Sequence, residues 1–234
     1  MLNLKNNTIV KISLMFIHKH PYKPFIPENA NKLIVGTLPP PRFYKGKLKE
    51  GDVDFCYGSI DGQLWKILNE IYKLNLHFET TEFAIQQRKE FLITHKIGIC
   101  DIVESCTRTK IDASDLGMDN IILRNMIFLL EKHHFVNTLL LTGGNSKNGP
   151  EYHLRRQLKK QAIDLKLISL ETPRIHQFQL KNRIIKVVSL TAPTGTANRA
   201  VGSNKQYKLL KSKNPDFNTF DFRVLQYRKF FNYL

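Results

Sequence analysis

Three carboxylates stand at positions where they could do chemistry: Asp54, Asp61 and Asp101. Asp101 lies near the end of the apolar run 97–102, where a carboxylate can orient a water molecule or stabilise positive charge that develops on a substrate. Its structural alternative is to accept backbone N–H groups of the following loop. Asp54 and Asp61 flank a short aromatic segment, and a carboxylate in a partly dry pocket has the raised pKa that suits a general base. The alternative for both is a solvent-exposed turn, in which Asp is favoured.

The elements that must position these groups alternate between apolar runs and amphipathic segments, a pattern typical of a parallel sheet with helices on both faces. Strands are predicted at 33–37, 97–102, 138–142, 165–169 and 184–190. Helices are predicted from residue 64 to about 71, and over about 82–93, 122–133, 151–163 and 219–232. We therefore expect an α/β protein, a three-layer α/β/α sandwich around a short, mainly parallel sheet of four to five strands. Residues 1–17 are expected to form an N-terminal arm, with 1–14 dispensable, and residues 18–234 a single domain.

Four of the predicted strands end in a polar turn that contains Gly, Pro or charged residues. These turns cover residues 37–41, 101–108, 142–149 and 191–198. In open parallel sheets ligands bind beyond the carboxyl ends of the strands. We therefore expect the four turns to converge on one pocket.

The charge balance points to an anionic partner. The chain carries 36 Lys+Arg against 20 Asp+Glu, a net charge of +16. Nucleic acid is the first expectation, because phosphate contacts from Lys and Arg dominate such binding. The alternative is a protein that is basic for solubility alone.

Several classes of protein do not fit the composition. The 3 cysteines are too few for a disulfide scaffold or an iron–sulfur cluster, and are predicted to be thiols in a reducing compartment, with a cytoplasmic location. No run approaches the ~20 apolar residues that a membrane span needs. The 8 histidines show no metal-ligand spacing, so no metal or other cofactor is expected. His18 and His20 could line the pocket or touch phosphate, but a histidine pair in such an arm is more often exposed.

Four segments together resemble the motifs of the uracil-DNA glycosylase superfamily, closest to its mismatch-specific and hypoxanthine branches. Gly36-Thr37-Leu38-Pro39-Pro40 resembles the first motif, a Gly-x-x-Pro turn at the end of the first strand. The segment 54–65 resembles the aromatic turn that leads into a helix opening with Phe-Trp. The segments 98–103 and 106–108 resemble the Trp-Asp-Val and Cys-x-Arg of the hypoxanthine branch, and 190–198 resembles the C-terminal minor-groove loop. The motifs occur in the family order, each at a strand end, and span residues 18–200.

The resemblance implies a monofunctional DNA glycosylase, which hydrolyses the N-glycosidic bond of a deaminated or otherwise modified base flipped out of DNA. In several branches the third residue of the first motif is polar and activates the water, but here it is Leu38. The hypoxanthine branch uses two asparagines instead. The first falls on Gly62, next to Asp61, which could substitute for it. The second falls on Asn120, whose structural alternative is to cap the predicted helix.

The predicted site residues follow from these matches. The catalytic candidates are Asn120, Asp101 and Asp61. The substrate-binding candidates are Gly36, Thr37, Pro39, Phe43, Phe55 and Tyr57. The DNA-binding candidates are Lys45, Lys47, Thr191, Pro193, Thr194, Gly195, Asn198 and Arg199. The expected partner is single- or double-stranded DNA, and the protein is expected to be a monomer that binds no membrane.

Two other functions stay open. One is a non-catalytic nucleic-acid-binding protein on the same fold, in which Leu38 and Gly62 have replaced catalytic polar residues. The other is a hydrolase of free nucleosides or nucleotides, which the wide positive field disfavours because a small substrate does not need it.

Overall fold

The computed structural model describes residues 15–231. The strands are β1 (Phe16–Lys19), β2 (Lys32–Gly36), β3 (Ile97–Asp101), β4 (Val103–Arg108), β5 (Asp119–Leu123), β6 (Thr138–Leu141), β7 (Lys166–Ser169), β8 (Arg174–Leu180) and β9 (Arg183–Ser189). The α-helices are α1 (Pro41–Tyr44), α2 (Leu64–Tyr72), α3 (Glu82–Thr94), α4 (Met126–Lys132), α5 (Pro150–Lys160), α6 (Asn198–Ser203), α7 (Lys205–Lys213) and α8 (Thr219–Phe231). Short 3₁₀ turns cover Asp115–Gly117 and Gly195–Ala197.

The strands form two sheets. The larger has the order β3-β2-β6-β9-β8-β7, and the smaller has the order β1-β4-β5. In the larger sheet β3, β2, β6 and β9 are mutually parallel, whereas β8 runs antiparallel to both of its neighbours, β9 and β7. The smaller sheet is antiparallel throughout. The α/β class with a mainly parallel central sheet is confirmed.

The apolar runs of the central strands are buried on both faces, as expected for a covered parallel sheet. Alternate residues face opposite sides, so Leu33 and Val35 contribute to one core and Ile34 to the other. On the first side α4 and α5 contribute Met126, Leu130, Leu154 and Leu158. On the second side α2, α3 and α8 contribute Trp65, Phe91 and Tyr227. The expected three layers are therefore present.

Three local predictions are wrong. The larger sheet has six strands rather than four or five, because β8 alternates polar and apolar residues and lacks a continuous apolar run. Residues 103–108, predicted as a turn, form β4, since β1 and β5 supply pairing partners on both sides. Asn120 does not cap a helix, because it lies within β5, and the side chain that caps α4 is Asn125, which accepts a hydrogen bond from the backbone N–H of Phe128 at 3.0 Å.

The boundary expected at residue 18 falls inside β1, where Phe16 pairs with Arg108 and Ile17 with Thr107. Residues 1–14, predicted to be dispensable, lie outside the described residues. In the described part of the chain, no helix is both long enough and apolar enough to span a bilayer.

Candidate functional site

The carboxyl ends of three parallel strands meet at one point of the larger sheet. Gly36 at the end of β2 pairs with Asp101 at the end of β3, and Thr142 follows β6. The backbone carbonyl of Gly36 accepts from the N–H of Ile102 at 2.9 Å, and that of Val35 accepts from Thr142 at 2.9 Å. These bonds fix the strand ends, so side chains there have defined positions.

The absence of a side chain at Gly36 makes room for two polar groups. A methyl group at this position would overlap the hydroxyl oxygen of Tyr57 and Oδ1 of Asp101. Both oxygens therefore occupy the space directly over the Gly36 backbone and are neighbours. Only glycine allows this approach.

Tyr57 reaches this point from a tight turn, in which its own backbone is left-handed with φ 58°. This conformation is uncommon for a bulky residue and is typical of functional sites. The phenol oxygen of Tyr57 forms a 2.9 Å hydrogen bond with Oγ1 of Thr142. Burial and the nearby Asp101 raise the pKa of Tyr57 well above its usual value, so the phenol stays protonated.

Asp101 is buried and paired with a histidine from the N-terminal segment. Nε2 of His20 lies 2.8 Å from Oδ2 of Asp101. Nδ1 of His20 accepts a hydrogen bond from the backbone N–H of Tyr22 at 3.0 Å. Because Nδ1 is an acceptor, the proton of the neutral ring is on Nε2, which donates to the carboxylate. His20 thus orients Asp101 and stabilises its negative charge.

A second carboxyl, that of Asp115, lies next to the first motif. Its Oδ2 accepts a hydrogen bond from the Thr37 hydroxyl at 3.2 Å. Burial raises the pKa of Asp115 to about 6, and the like charge of Asp101 adds to this, whereas the Thr37 hydroxyl and Arg108 act in the opposite direction. Asp115 therefore titrates close to neutral pH.

The loop that carries Asp115 is held from two sides. Arg108 donates from Nη1 to the Ser114 carbonyl at 2.7 Å, and Asn148 donates from Nδ2 to the Asp115 carbonyl at 2.9 Å. Arg108 also donates from Nε to Nδ1 of the buried His18 at 3.0 Å. Burial and Arg108 lower the pKa of His18 to about 4, so this imidazole is uncharged at neutral pH.

We call the resulting group the strand-end cluster. It consists of His20, Gly36, Thr37, Tyr57, Asp101, Asp115 and Thr142. It combines one carboxylate held by an imidazole, one carboxyl that titrates near pH 6, a phenol and two hydroxyls. Such a set can orient a water molecule, accept its proton and stabilise positive charge.

The C-terminal loop, residues 191–198, is anchored by α8. The buried Arg223 donates to the carbonyls of Ala192 and Thr194, each at 2.9 Å, and to Oδ1 of Asn198 at 3.0 Å. The hydroxyl of Tyr227 donates to the Thr191 carbonyl at 2.8 Å. Two side chains of α8 thus fix the path of the loop backbone.

The same loop meets the turn before α2. Gly62 forms an isolated antiparallel bridge with Thr194, and the N–H of Gln63 donates to the Pro193 carbonyl at 2.8 Å. Three of the four predicted turns thus contribute to the strand-end cluster, with Thr37 after β2, Asp101 at the end of β3 and Thr142 after β6. The turn after β9 contacts the segment that carries Tyr57.

The structure does not bring every predicted residue to the cluster. Asp61 is exposed and pairs with Arg42 at 3.2 Å and Lys49 at 3.3 Å. Asn120 is exposed and donates to Oγ1 of Thr107 at 3.1 Å. Within residues 15–231, neither the Asp61 nor the Asn120 side chain forms a hydrogen bond with Asp101 or Asp115.

Of the three predicted aromatic residues, two pack away from the strand-end cluster. Phe55 is 7% exposed and packs edge-on against Phe25 in the core. Phe43 is 4% exposed and packs edge-on against Tyr22. Tyr57 is therefore the predicted aromatic side chain that belongs to the cluster. Pro39, in the same turn as Thr37, is buried.

The predicted DNA-binding residues are mostly exposed. Exposed members are Lys45, Lys47, Gly195, Asn198 and Arg199, whereas Thr191 and Thr194 are half-buried and Pro193 is buried. Lys45 lies close to the site, since its charge acts on His18.

Four residues of this region are absent from the predicted site residues: His20, Asp115, Thr142 and Arg223. His20 was more readily interpreted as exposed, but its side chain is only 3% exposed. Asp115 lies in the segment after the Cys-x-Arg, where the resemblance predicts a polar residue, so its place was detectable although its identity was not. No local pattern marks Arg223, because its role depends on a loop 29 residues away.

No group of three or more His, Cys, Asp or Glu side chains able to hold a metal occurs among the described residues. A shallow groove of about 370 Å³ lies on the opposite part of the sheet, lined by residues that include Ala162, Lys166 and Gln179. No residue of the strand-end cluster lines this groove, so we take the cluster as the candidate site.

Comparison with known proteins shows the fold. No protein-family model and no curated protein sequence matches the chain. A solved structure that does match is a solution NMR structure from Methanosarcina acetivorans, assigned provisionally as a uracil DNA glycosylase. It is 14% identical, with a TM-score of 0.50, and the match covers 89% of this chain and 99% of that one. At this identity the likeness supports a shared α/β fold.

Proposed function

We propose that this protein is a monofunctional DNA glycosylase that removes a deaminated or otherwise modified base from DNA. The observation that carries the proposal is the presence of two carboxyls at this edge of the larger sheet, Asp101 at the end of β3 and Asp115 beside Thr37, in a fold like that of the matched structure. The first-motif turn and the order of the four motifs favour the mismatch-specific and hypoxanthine branches.

Asp115 is the proposed general base. A base works best when its pKa lies near the operating pH, and the pKa of Asp115 is about 6. In the reaction, water attacks C1′ of the sugar and gives its proton to Asp115. The electron pair of the C1′–N bond leaves with the base. Leu38, which cannot bind the water, is half-buried against the core.

Asp101 is the proposed electrostatic group. Positive charge develops on the sugar as the C1′–N bond breaks, and a fixed carboxylate stabilises it. His20 is a positioning residue that holds Asp101 through Oδ2. Tyr57 presents an aromatic side chain at the same point and is the proposed contact for the flipped base. We assign the chemistry to Asp101 and Asp115, while the predicted roles of Asn120 and Asp61 stay predictions.

The basic surface is the proposed DNA contact. Lys45 and Lys47 are exposed after α1, Gly195 is exposed in the C-terminal loop, and Arg199 is exposed in the first turn of α6. The net charge of +16 favours a polyanion over a small substrate. The strand-end cluster contains no lysine amine, which favours hydrolysis over Schiff-base chemistry, and we propose that a monomer acts.

The test uses end-labelled oligonucleotides that carry uracil, hypoxanthine, xanthine or a mismatched thymine, single- and double-stranded, followed by hot alkali. We expect a cut at one modified base, a loss of about 100-fold or more in Asp101→Asn, and no loss in Asp164→Asn, an exposed carboxylate outside the cluster. No cut at any base would contradict the proposal.

A second candidate is a non-catalytic nucleic-acid-binding protein on the same fold. The observation that favours it is Leu38, which leaves the third position of the first motif without a polar group. Salt-sensitive binding to duplex DNA with no cut at any base of the panel would select this function.

A further inference from the structure

The chain that follows the C-terminal loop carries positive charge and no negative charge. The helices α6 and α7, with Asn204 between them, cover residues 198–213. None of these residues is Asp or Glu, and the range contains the cations Arg199, Lys205, Lys208, Lys211 and Lys213. All of these cationic residues are exposed. We call residues 198–213 the basic segment.

The helix α7 has little packing to hold it in place. None of its 9 residues is buried. Its aromatic contacts are made by Tyr207, whose ring centroid lies 6.0 Å from that of Phe217 and 5.8 Å from that of Phe222 in α8. A helix this short gains little stability from its own hydrogen bonds, and most helices of this length depend on a buried face. The position of α7 on the surface therefore has no explanation in the packing of the core.

The lysines of α7 also repel one another. Lys205, Lys208 and Lys211 follow each other at intervals of three residues, and like charges at this spacing destabilise a helix. Lys211 donates to the Pro215 carbonyl at 2.5 Å. Within residues 15–231, the lysines that form salt bridges stand at 49, 73, 89 and 181, and none belongs to α7. The repulsion is therefore not offset in the free protein, and a bound polyanion would remove it.

The basic segment is attached directly to the edge of the sheet that carries the strand-end cluster. α6 begins at Asn198, the last residue of the C-terminal loop. Oδ1 of Asn198 accepts hydrogen bonds from Arg223 at 3.0 Å and from the Thr219 hydroxyl at 3.1 Å. The loop itself follows β9, and β6 separates β9 from β2 in the sheet. Cations thus follow both β2 and β9, since Lys45 and Lys47 come after β2 and α1.

The chemistry of the basic segment fits a phosphate backbone better than a protein surface or a membrane. Phosphates are bound by cations and need no apolar contact. The core of a protein interface is apolar, and a helix that lies in a membrane surface buries an apolar face. In α6 and α7 the large apolar side chain that is mostly exposed is Leu209, at 56%. One leucine among these cations provides neither an interface core nor an apolar face.

We propose that the basic segment binds the phosphate backbone of duplex DNA beside the nucleotide at the strand-end cluster. It is a second contact in addition to Lys45 and Lys47. This inference rests on the proposed function because it takes DNA as the substrate, but it requires no excision. The contact contributes affinity without reading sequence, and the phosphates stabilise α7 by neutralising its charge.

The test measures the binding of an unmodified DNA duplex by fluorescence anisotropy, between about 50 and 200 mM salt. Glutamine has a helix propensity close to that of lysine, so it removes charge without breaking the helix. The α7 variant carries three changes: Lys205→Gln, Lys208→Gln and Lys213→Gln. The matched control removes three exposed lysines from the end of α5 and the start of β7: Lys159→Gln, Lys160→Gln and Lys166→Gln.

We expect the α7 variant to have a slope of log K against log salt that is smaller by about 2–3, and the control to keep the wild-type slope. The free energy of unfolding of the α7 variant should not fall, because the substitutions remove repulsion between like charges. Weaker binding would then not result from loss of folding. Hydrogen exchange of the α7 backbone amides should slow when the duplex is bound.

An unchanged slope in the α7 variant, or an equal reduction in the control, would overturn the proposal. If the slope is unchanged but the variant no longer binds vesicles of phosphatidylserine and phosphatidylcholine, the basic segment binds a membrane surface instead. The excision assay separates these results from failure of the proposed function. Excision with a slope that does not depend on α7 would remove the contact and keep the glycosylase. An α7-dependent slope without excision of any base would keep the contact in a protein that only binds DNA.

Discussion

His20 and Asp101 are 81 positions apart in the sequence and form a 2.8 Å hydrogen bond. The bond exists because β1 pairs with β4, which directly follows the strand that ends at Asp101, and this carries the N-terminal segment back over the site. The hydrogen bond from the Tyr22 N–H to Nδ1 of His20 sets the tautomer. The imidazole therefore acts as a donor that fixes one oxygen of Asp101 and leaves the other directed at Tyr57.

Replacement of His20 tests whether it acts through Asp101. We expect His20→Phe, which keeps a ring but has no donor, to lower kcat about ten-fold with KM within two-fold, because the carboxylate loses its orientation. In an Asp101→Asn background the same replacement should have no further effect, since coupled residues are not additive. The measurement is single-turnover excision by all four proteins of the cycle. Additive losses would show that His20 acts independently, and His20→Gln, which restores a donor, should recover part of the rate.

The pKa of Asp115 predicts the pH dependence of excision. A general base must be ionised, so the rate should rise as the pH increases through about 6 and level off above it. Asp115→Asn should lower the plateau by about 100-fold or more and remove this rise. The measurement is single-turnover excision between pH 4.5 and 8. A wild-type rate that does not vary across pH 6 would contradict the assignment.

The raised pKa of Asp115 also predicts how stability depends on pH: stability should fall over the pH range in which the excision rate rises. The pKa of Asp115 is raised from 3.8 to about 6 in the folded protein, so the folded state holds its proton where the unfolded state has released it. The Asp115 carboxyl therefore contributes most to the free energy of unfolding below pH 3.8, and this contribution is lost as the pH rises through about 6. Asp115→Asn should be more stable than wild type at pH 7 by about 1–3 kcal/mol in urea unfolding. A destabilised variant would instead indicate a purely structural carboxyl.

Gly36 is expected to accept no larger residue. In Gly36→Ala the new methyl group would displace the Tyr57 hydroxyl and the Asp101 carboxylate. We expect a loss of about 1–3 kcal/mol in unfolding free energy and a loss of excision greater than that loss of stability explains at 25 °C. Gly202→Ala is the matched control, because a methyl group there meets no atom within 4 Å. Full activity of Gly36→Ala would show that the cluster is not the site.

Much of the fold could be predicted because it depends on local patterns. The run from Leu33 to Val35 is apolar at every position, which is the pattern of a strand covered on both faces. The carboxyl ends of such strands lie at one edge of the sheet, so Asp101 could be placed at the site from its position alone. Tyr57 was predicted from the resemblance, and the structure brings it to the same point.

The rest depends on pairing between distant segments. The segment around Asn120 contains Ile121 and Ile122, whose β-branched side chains favour a strand, but the helical spacing of later residues hid this. Asp115 lies in a polar loop whose backbone is held by hydrogen bonds from Arg108 and Asn148. The amino-acid sequence near Asp115 contains no pattern that predicts either hydrogen bond.

Salt dependence tests where DNA binds. Lys45 and Lys47 are exposed beside the first motif, and each phosphate contact contributes about one unit to the slope of log K against log salt. We expect the double variant Lys45→Ala, Lys47→Ala to bind every duplex more weakly and to have a slope smaller by about 1–2. Lys159→Ala, Lys160→Ala is the matched control, since both lysines are exposed at the end of α5 rather than at the carboxyl ends of the strands. An equal reduction of the slope in both double variants would contradict this prediction. It would show that DNA binds through the overall positive charge, without a specific contact at Lys45 and Lys47.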